Sequence, residues 1–132
     1  LSKLLKLGQF KGPLKMVKKP SDLPIIDKNL DKIFTKDSNK ILKELLNLFI
    51  KETPKIQAKI NLAFQKKQQQ KLKELLHKLL GSCVYCGWIR LKFSIITLEN
   101  AITQHNYSNE LLEQFNTELE IALNKAKEIT HS

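Results

Sequence analysis

Apolar residues recur at helical spacing along most of the chain. Residues 27–36 carry Leu30, Ile33 and Phe34 at i, i+3, i+4, and Asp27 is placed to cap a short helix there. A stronger pattern starts near Asp37 and Ser38, with Ile41, Leu42, Leu45, Leu46, Leu48 and Phe49, and resumes at Ile56, Ile60, Leu62, Ala63 and Phe64. Pro54 stands between the two halves. It lacks the N–H that a helix interior needs, which predicts a kink or a restart. Residues 65–71 are wholly polar and predict a reversal of the chain.

The next helix is predicted over residues 69–86. At about 100° per residue, Leu72, Leu75, Leu79, Cys83 and Cys86 fall within ~60° of the side opposite His77. Gln70, Lys73 and Gly81 fall within ~40° of His77 itself. Gly87 suits the position just past a helix end. A further helix is expected from residue 88 or 89 to 104, carrying Ile89, Leu91, Phe93, Ile95, Ile96, Leu98 and Ile102. Residues 106–109 form a turn, and Ser108 is the candidate cap of a last helix over 109–127. That helix presents Leu111, Leu112, Phe115, Leu119, Ala122, Leu123 and Ala126. Four substantial helices with short connections predict an all-α fold: an antiparallel up-and-down four-helix bundle with a short extra N-terminal helix. Neither a strand alternation nor an internal repeat competes with it.

Composition narrows the class. The 132 residues suit one domain, and glycine and proline number only four each. Residues 1–24 read as a linker or basic N-terminal arm, broken by Gly8, Gly12, Pro13, Pro20 and Pro24, and residues 25–132 as the bundle domain. The net charge is +10, but Lys3, Lys6, Lys11, Lys15, Lys18 and Lys19 supply six of it, leaving +4 for the remainder. The folded part is thus mildly basic, which weakens a nucleic-acid reading. A chain that begins at Leu1 is expected to be part of a longer protein. No apolar run approaches the ~20 residues needed to cross a bilayer, and no signal-peptide pattern is present. Two cysteines at i, i+3 make a poor disulfide framework, so a reducing cytoplasmic setting is expected.

The chemistry concentrates in residues 75–87, L-L-H-K-L-L-G-S-C-V-Y-C-G. His77 lies on the polar side of a leucine-rich helix, with Gly81 one turn on. Glycine costs about 1 kcal/mol relative to alanine in a helix interior. Its presence suggests that something large must approach His77, as for a histidine that exchanges a phosphoryl group while docked against another protein. Counting outward from a hairpin at Trp88 places Glu99 opposite His77. A carboxylate accepting from Nδ1–H would fix one tautomer and leave Nε2 as the nucleophile. Lys78 and Lys73 can supply positive charge near phosphoryl oxygens. The C-x-x-C pair lacks the further ligands that a structural zinc requires and sits at a helix end, so packing is its expected role. His105 and His131 read as surface residues, and Trp88 as packing at the hairpin end.

The central run resembles histidine phosphotransfer (HPt) domains, whose His-x-Leu-x-Gly-Ser pattern matches His77, Leu79, Gly81 and Ser82, and whose following Leu-Glu matches Leu98 and Glu99. The stretch from His77 to Lys92 looks especially like the HPt domains that end BarA-type hybrid sensor histidine kinases. One departure is Leu80, where many of these domains carry a lysine. The resemblance covers about residues 27–128. It implies a phosphorelay intermediate: His77 accepts a phosphoryl group from a receiver-domain aspartate and passes it to the aspartate of a response regulator. It implies no autonomous kinase activity, no cofactor in this domain, and Mg²⁺ supplied by the partner receiver. Receiver domains would dock on an apolar patch around His77, with Val84 and Leu80 at its edge, and the isolated domain would be monomeric. The parent kinase would be membrane-anchored with this part in the cytoplasm.

Two other readings remain open at the sequence level. One is a non-enzymatic helical binding module that uses the basic arm on nucleic acid or an anionic membrane, with affinity falling steeply in salt. The other is a kinase dimerisation hairpin carrying the histidine, which would need an ATP-binding domain and a dimer.

Overall fold

The computed structural model describes residues 20–27 and 40–131. Four α-helices follow one another: α1 (Lys40–Gln65), α2 (Gln69–Cys86), α3 (Ile89–Thr103) and α4 (Asn109–Thr130). Helix α1 packs against α2 and α4, and α3 packs against the same two, so the helices form a closed ring in chain order. The short connections make neighbours antiparallel, giving the up-and-down four-helix bundle expected from the sequence. The expected short helix over 27–36 lies outside the described residues, apart from Asp27.

Each helix contributes an apolar stripe to one core. Leu46, Phe49 and Ile60 come from α1, Leu72, Leu76 and Leu79 from α2, Leu91, Ile95, Leu98 and Ile102 from α3, and Phe115, Leu119 and Ala126 from α4. On α2 the buried arc is turned slightly from the expected one, because Leu76 is fully buried and Leu75 only half. Contact with α3 on that side draws Leu76 inward. Pro54 neither ends nor restarts α1, which is continuous through it. Ile41, Leu48 and Leu62 follow the helical apolar spacing but stay more than half or half exposed, at 68%, 53% and 50%.

The ends of the helices are held by specific contacts. Gly87 takes the left-handed conformation, φ 71°, and its N–H bonds to Cys83 O at 2.8 Å, closing α2. Ser108 caps α4 by accepting from the Leu111 N–H at 3.2 Å. Trp88, at the start of α3, offers no side-chain cap. Residues upstream of the bundle serve instead. Ile26 pairs with Trp88 as an isolated antiparallel bridge, Ile89 N–H donates to Ile25 O at 3.1 Å, and Asp27 N–H donates to Gly87 O at 2.9 Å. Pro20–Asp22 form a 3-10 turn, and this turn packs on α3. Trp88 is 1% exposed and touches Phe49 with ring centroids 5.4 Å apart.

Polar contacts set the pairing of α3 and α1 with α4. Arg90 Nη2 meets Glu118 Oε2 at 2.8 Å, where the Glu118 side chain is 6% exposed. Asn61 and Asn116 exchange amide hydrogen bonds at 2.9 and 3.1 Å, and Gln57 Nε2 donates to Asn116 Oδ1 at 2.9 Å. Among the described residues no helix is long and apolar enough to cross a membrane.

Candidate functional site around His77

His77 is exposed on α2, with Leu76 buried before it and Leu79 buried after it. Those two leucines fix the rotation of α2 about its axis and so hold position 77 outward. One turn on, Gly81 is also exposed. A Cβ built there would meet nothing within 4 Å. Among the described residues no close approach therefore requires a glycine at this position, and the space it leaves opens outward beside His77. Val84 extends the same face and is 65% exposed.

The two lysines flank His77 on opposite sides of the helix. Lys73, one turn before, is half-buried on the side towards α3, and Lys78 is exposed on the side towards α1. Neither forms an ion pair with a described residue within 4.0 Å. Glu74, also exposed, accepts from Gln70 Nε2 at 3.1 Å. Leu80 is partly buried against the core.

Glu99 is half-buried on α3. A symmetric count through Trp88 sets Gln69 opposite Tyr107, but Gln69 Nε2 bonds instead to Ile102 O at 2.9 Å. Tyr107 lies past the end of α3 at Thr103, so the count through Trp88 does not carry to that end of the hairpin. Among the described residues there is no hydrogen bond or ion pair between Glu99 and His77, and the imidazole has no hydrogen-bond partner.

On the α1 side of His77 the surface sinks into a groove of about 240 Å³. Leu45, Leu48, Phe49 and Ile56 of α1 form one wall, and Ser82, Tyr85 and Cys86 of α2 the other, with Lys78 and Glu52 also lining it. Sequence reading missed this groove, because it depends on how α1 and α2 are paired.

The cysteines are free and buried. Burial pushes the Cys86 thiol up to about 11, with the nearby Trp88 indole N–H opposing it. Burial, reinforced by Cys86, pushes the Cys83 thiol higher still. Both are therefore protonated at neutral pH and belong to the packing. Among the described residues no group of three or more His, Cys, Asp or Glu side chains could hold a metal. His105 and His131 are exposed, away from this face.

Residues 44–129 match the family model of the Hpt domain. The match takes in most of the chain and all of α2, so the protein belongs to the Hpt domain family. Hpt domains carry out histidine phosphotransfer in two-component phosphorelays, in partnership with receiver domains. Comparison with curated proteins and with solved structures gave no significant match.

Proposed function

We propose that His77 is the phosphoacceptor of a relay that runs from the aspartyl phosphate of one receiver domain to the aspartate of a second, a response regulator. The supporting observation is an exposed histidine on α2 beside a helical glycine that no contact among the described residues requires. A neutral imidazole attacks phosphorus through the Nε2 lone pair. The bond from phosphorus to the aspartyl oxygen breaks, and the carboxylate leaves with the electron pair. The Nδ1 proton passes from the phosphorylated ring to solvent and returns to it for the second transfer, so that the ring departs as neutral imidazole. The second receiver reverses these steps with its own carboxylate as nucleophile.

Such a transfer depends on alignment and charge neutralisation more than on covalent machinery. Lys73 and Lys78 are placed on either side of His77 to meet phosphoryl oxygens, and the Mg²⁺ belongs to the receiver. Glu99 is the residue the sequence places to orient the imidazole, although no bond joins the two among the described residues. Its contribution is read from Glu99→Gln, which should slow transfer without changing receiver affinity. The parent protein is a hybrid sensor kinase in this reading, and the domain itself acts as a monomer.

The test is phosphotransfer from a radiolabelled, phosphorylated receiver domain to the native chain and to His77→Gln. Acid-labile, base-stable label on the native chain alone is the expected result. Label retained by His77→Gln would overturn the assignment.

A further inference from the structure

We propose that the outward face of α1 docks on an anionic lipid surface. The inference goes beyond the relay reading and concerns a face that the relay does not use.

Four observations carry it. First, Leu48, Lys51, Lys55, Lys59, Leu62 and Lys66 recur at spacings of three and four, and every one is exposed. On a helix they share about 80° of arc. Lys66 continues that geometry past the end of α1, since its N–H bonds to Leu62 O at 3.0 Å. Ile41 and Glu44 prolong the stripe towards the start of α1, for a length of about 37 Å. Secondly, its aliphatic members are uncovered. Ile41, Leu48 and Leu62 are three of the five large hydrophobic side chains left exposed among the described residues, and the other two, Val84 and Tyr85, lie on α2. Thirdly, the lower half carries charge of one sign. Among the described residues Lys51, Lys59 and Lys66 form no ion pair, and Lys55 meets only Glu52, at 3.9 Å across exposed side chains. Fourthly, the stripe turns away from His77. Helices α1 and α2 are neighbours in a ring of four, so their outward faces diverge by about 90°. Leu48 also borders the groove beside Lys78, so the lower half of the stripe is the part to test.

The combination of charges and leucines selects lipid. Lysine heads reach the phosphates while their stems and the leucines between them enter the acyl boundary. A nucleic-acid backbone would take the lysines and leave Leu62 in water. A second copy seated stripe on stripe would set lysines against lysines, which is repulsive.

The experiment titrates the whole chain, Leu62→Ala, the double variant Lys59→Gln with Lys66→Gln, and Lys92→Gln with two kinds of vesicle. One is pure phosphatidylcholine, and the other holds about two-fifths phosphatidylglycerol. Alanine and glutamine both favour helix, so α1 is kept. Lys92 lies on α3, across the ring from α1, and serves as the charge control. The lysines within residues 1–19 are common to every chain, so differences between chains report the stripe. The native chain should partition onto the anionic vesicles alone, and less so at high salt. The lysine double variant should weaken partitioning about twentyfold and Leu62→Ala about fivefold, while Lys92→Gln should change it by less than about twofold. Phosphoramidate, a small phosphoryl donor that needs no docking, should label His77 in all four chains at one rate. Partitioning that is absent, that the stripe variants leave at the native value, or that Lys92→Gln weakens as much as they do, overturns the proposal. Weakening by the lysine pair but not by Leu62→Ala, with tighter binding to duplex DNA than to vesicles, overturns it in favour of a nucleic acid. Self-association without lipid that Leu62→Ala abolishes overturns it in favour of contact between copies. Slower phosphoramidate labelling of the stripe variants would join the stripe to the phosphotransfer face and overturn its separate role.

Discussion

At Gly81 no contact among the described residues calls for a missing side chain, and in the proposed relay the reason is the approach of the receiver. An alanine there would meet nothing within 4 Å, and Gly→Ala at an exposed helix interior gains about 1 kcal/mol through propensity and the unfolded state. Gly81→Ala should therefore raise the denaturation midpoint while slowing transfer from a receiver, and Gly81→Phe should block transfer altogether. Phosphoramidate labelling of His77 should survive both changes. A Gly81→Ala chain that transfers at the native rate would remove the steric case for this residue. The thiols give a second prediction at this scale. A thiol whose pKa rises from 9.0 unfolded to about 11 folded, as at Cys86, keeps its proton in the native state after the unfolded chain has lost it. The native state then binds more protons, so stability falls as pH rises through that window, by up to about 1.4 kcal/mol per pH unit and thiol. Between pH 9 and 11, Cys86→Ala should lose stability less steeply than the native chain in urea titrations.

Between elements, the Arg90–Glu118 pair decides how α3 meets α4. Among the described residues Arg90 Nε and Glu118 Oε1 have no hydrogen-bond partner, so the two ions meet there through the 2.8 Å contact. Arg90→Met leaves a buried carboxylate without its cation and should cost about 3 kcal/mol in chemical denaturation, whereas Arg90→Met with Glu118→Leu should recover most of it. If the double variant is as unstable as the single one, the pair contributes through packing and not through charge. Neither residue stood out in the sequence, because they lie 28 residues apart and their encounter depends on the rotation of two helices. The same holds for the Gln57, Asn61 and Asn116 amides and for the α1–α2 groove. What depends on local spacing was legible: the limits of α2, the Gly87 terminator and the Ser108 cap. The exposed His77 and Gly81 were legible too, since a helical wheel needs no partner to be drawn. The height of Glu99 against His77 depends on how two helices are paired, which local spacing does not give. Counting through a turn assumes a symmetric hairpin, and no bond joins Glu99 to His77 among the described residues. The last helix runs past its expected end to Thr130 because Ile129 finds the core.

Across the whole molecule, the segment over residues 20–27 joins the upstream chain to the hairpin that carries His77. Its backbone does what no side chain at Trp88 does: Ile25 O accepts the first N–H of α3, and Asp27 N–H satisfies Gly87 O. Ile26, 6% exposed, covers Trp88 with it. Both effects act at the closed end of the α2–α3 hairpin, whereas His77 lies ten residues from Gly87 along α2, about 15 Å. Stability and chemistry should therefore separate. Ile26→Ala should cost about 2 kcal/mol or more, as for other buried isoleucines, and should speed hydrogen exchange at the Ile89 amide by a comparable free energy. Phosphoramidate labelling of His77 should be unchanged at temperatures where the variant remains folded. Exchange at Ile89 that is no faster in Ile26→Ala would mean that the segment lies on the hairpin without holding it. Slower labelling in the still-folded variant would mean that the segment governs the phosphoacceptor from a distance.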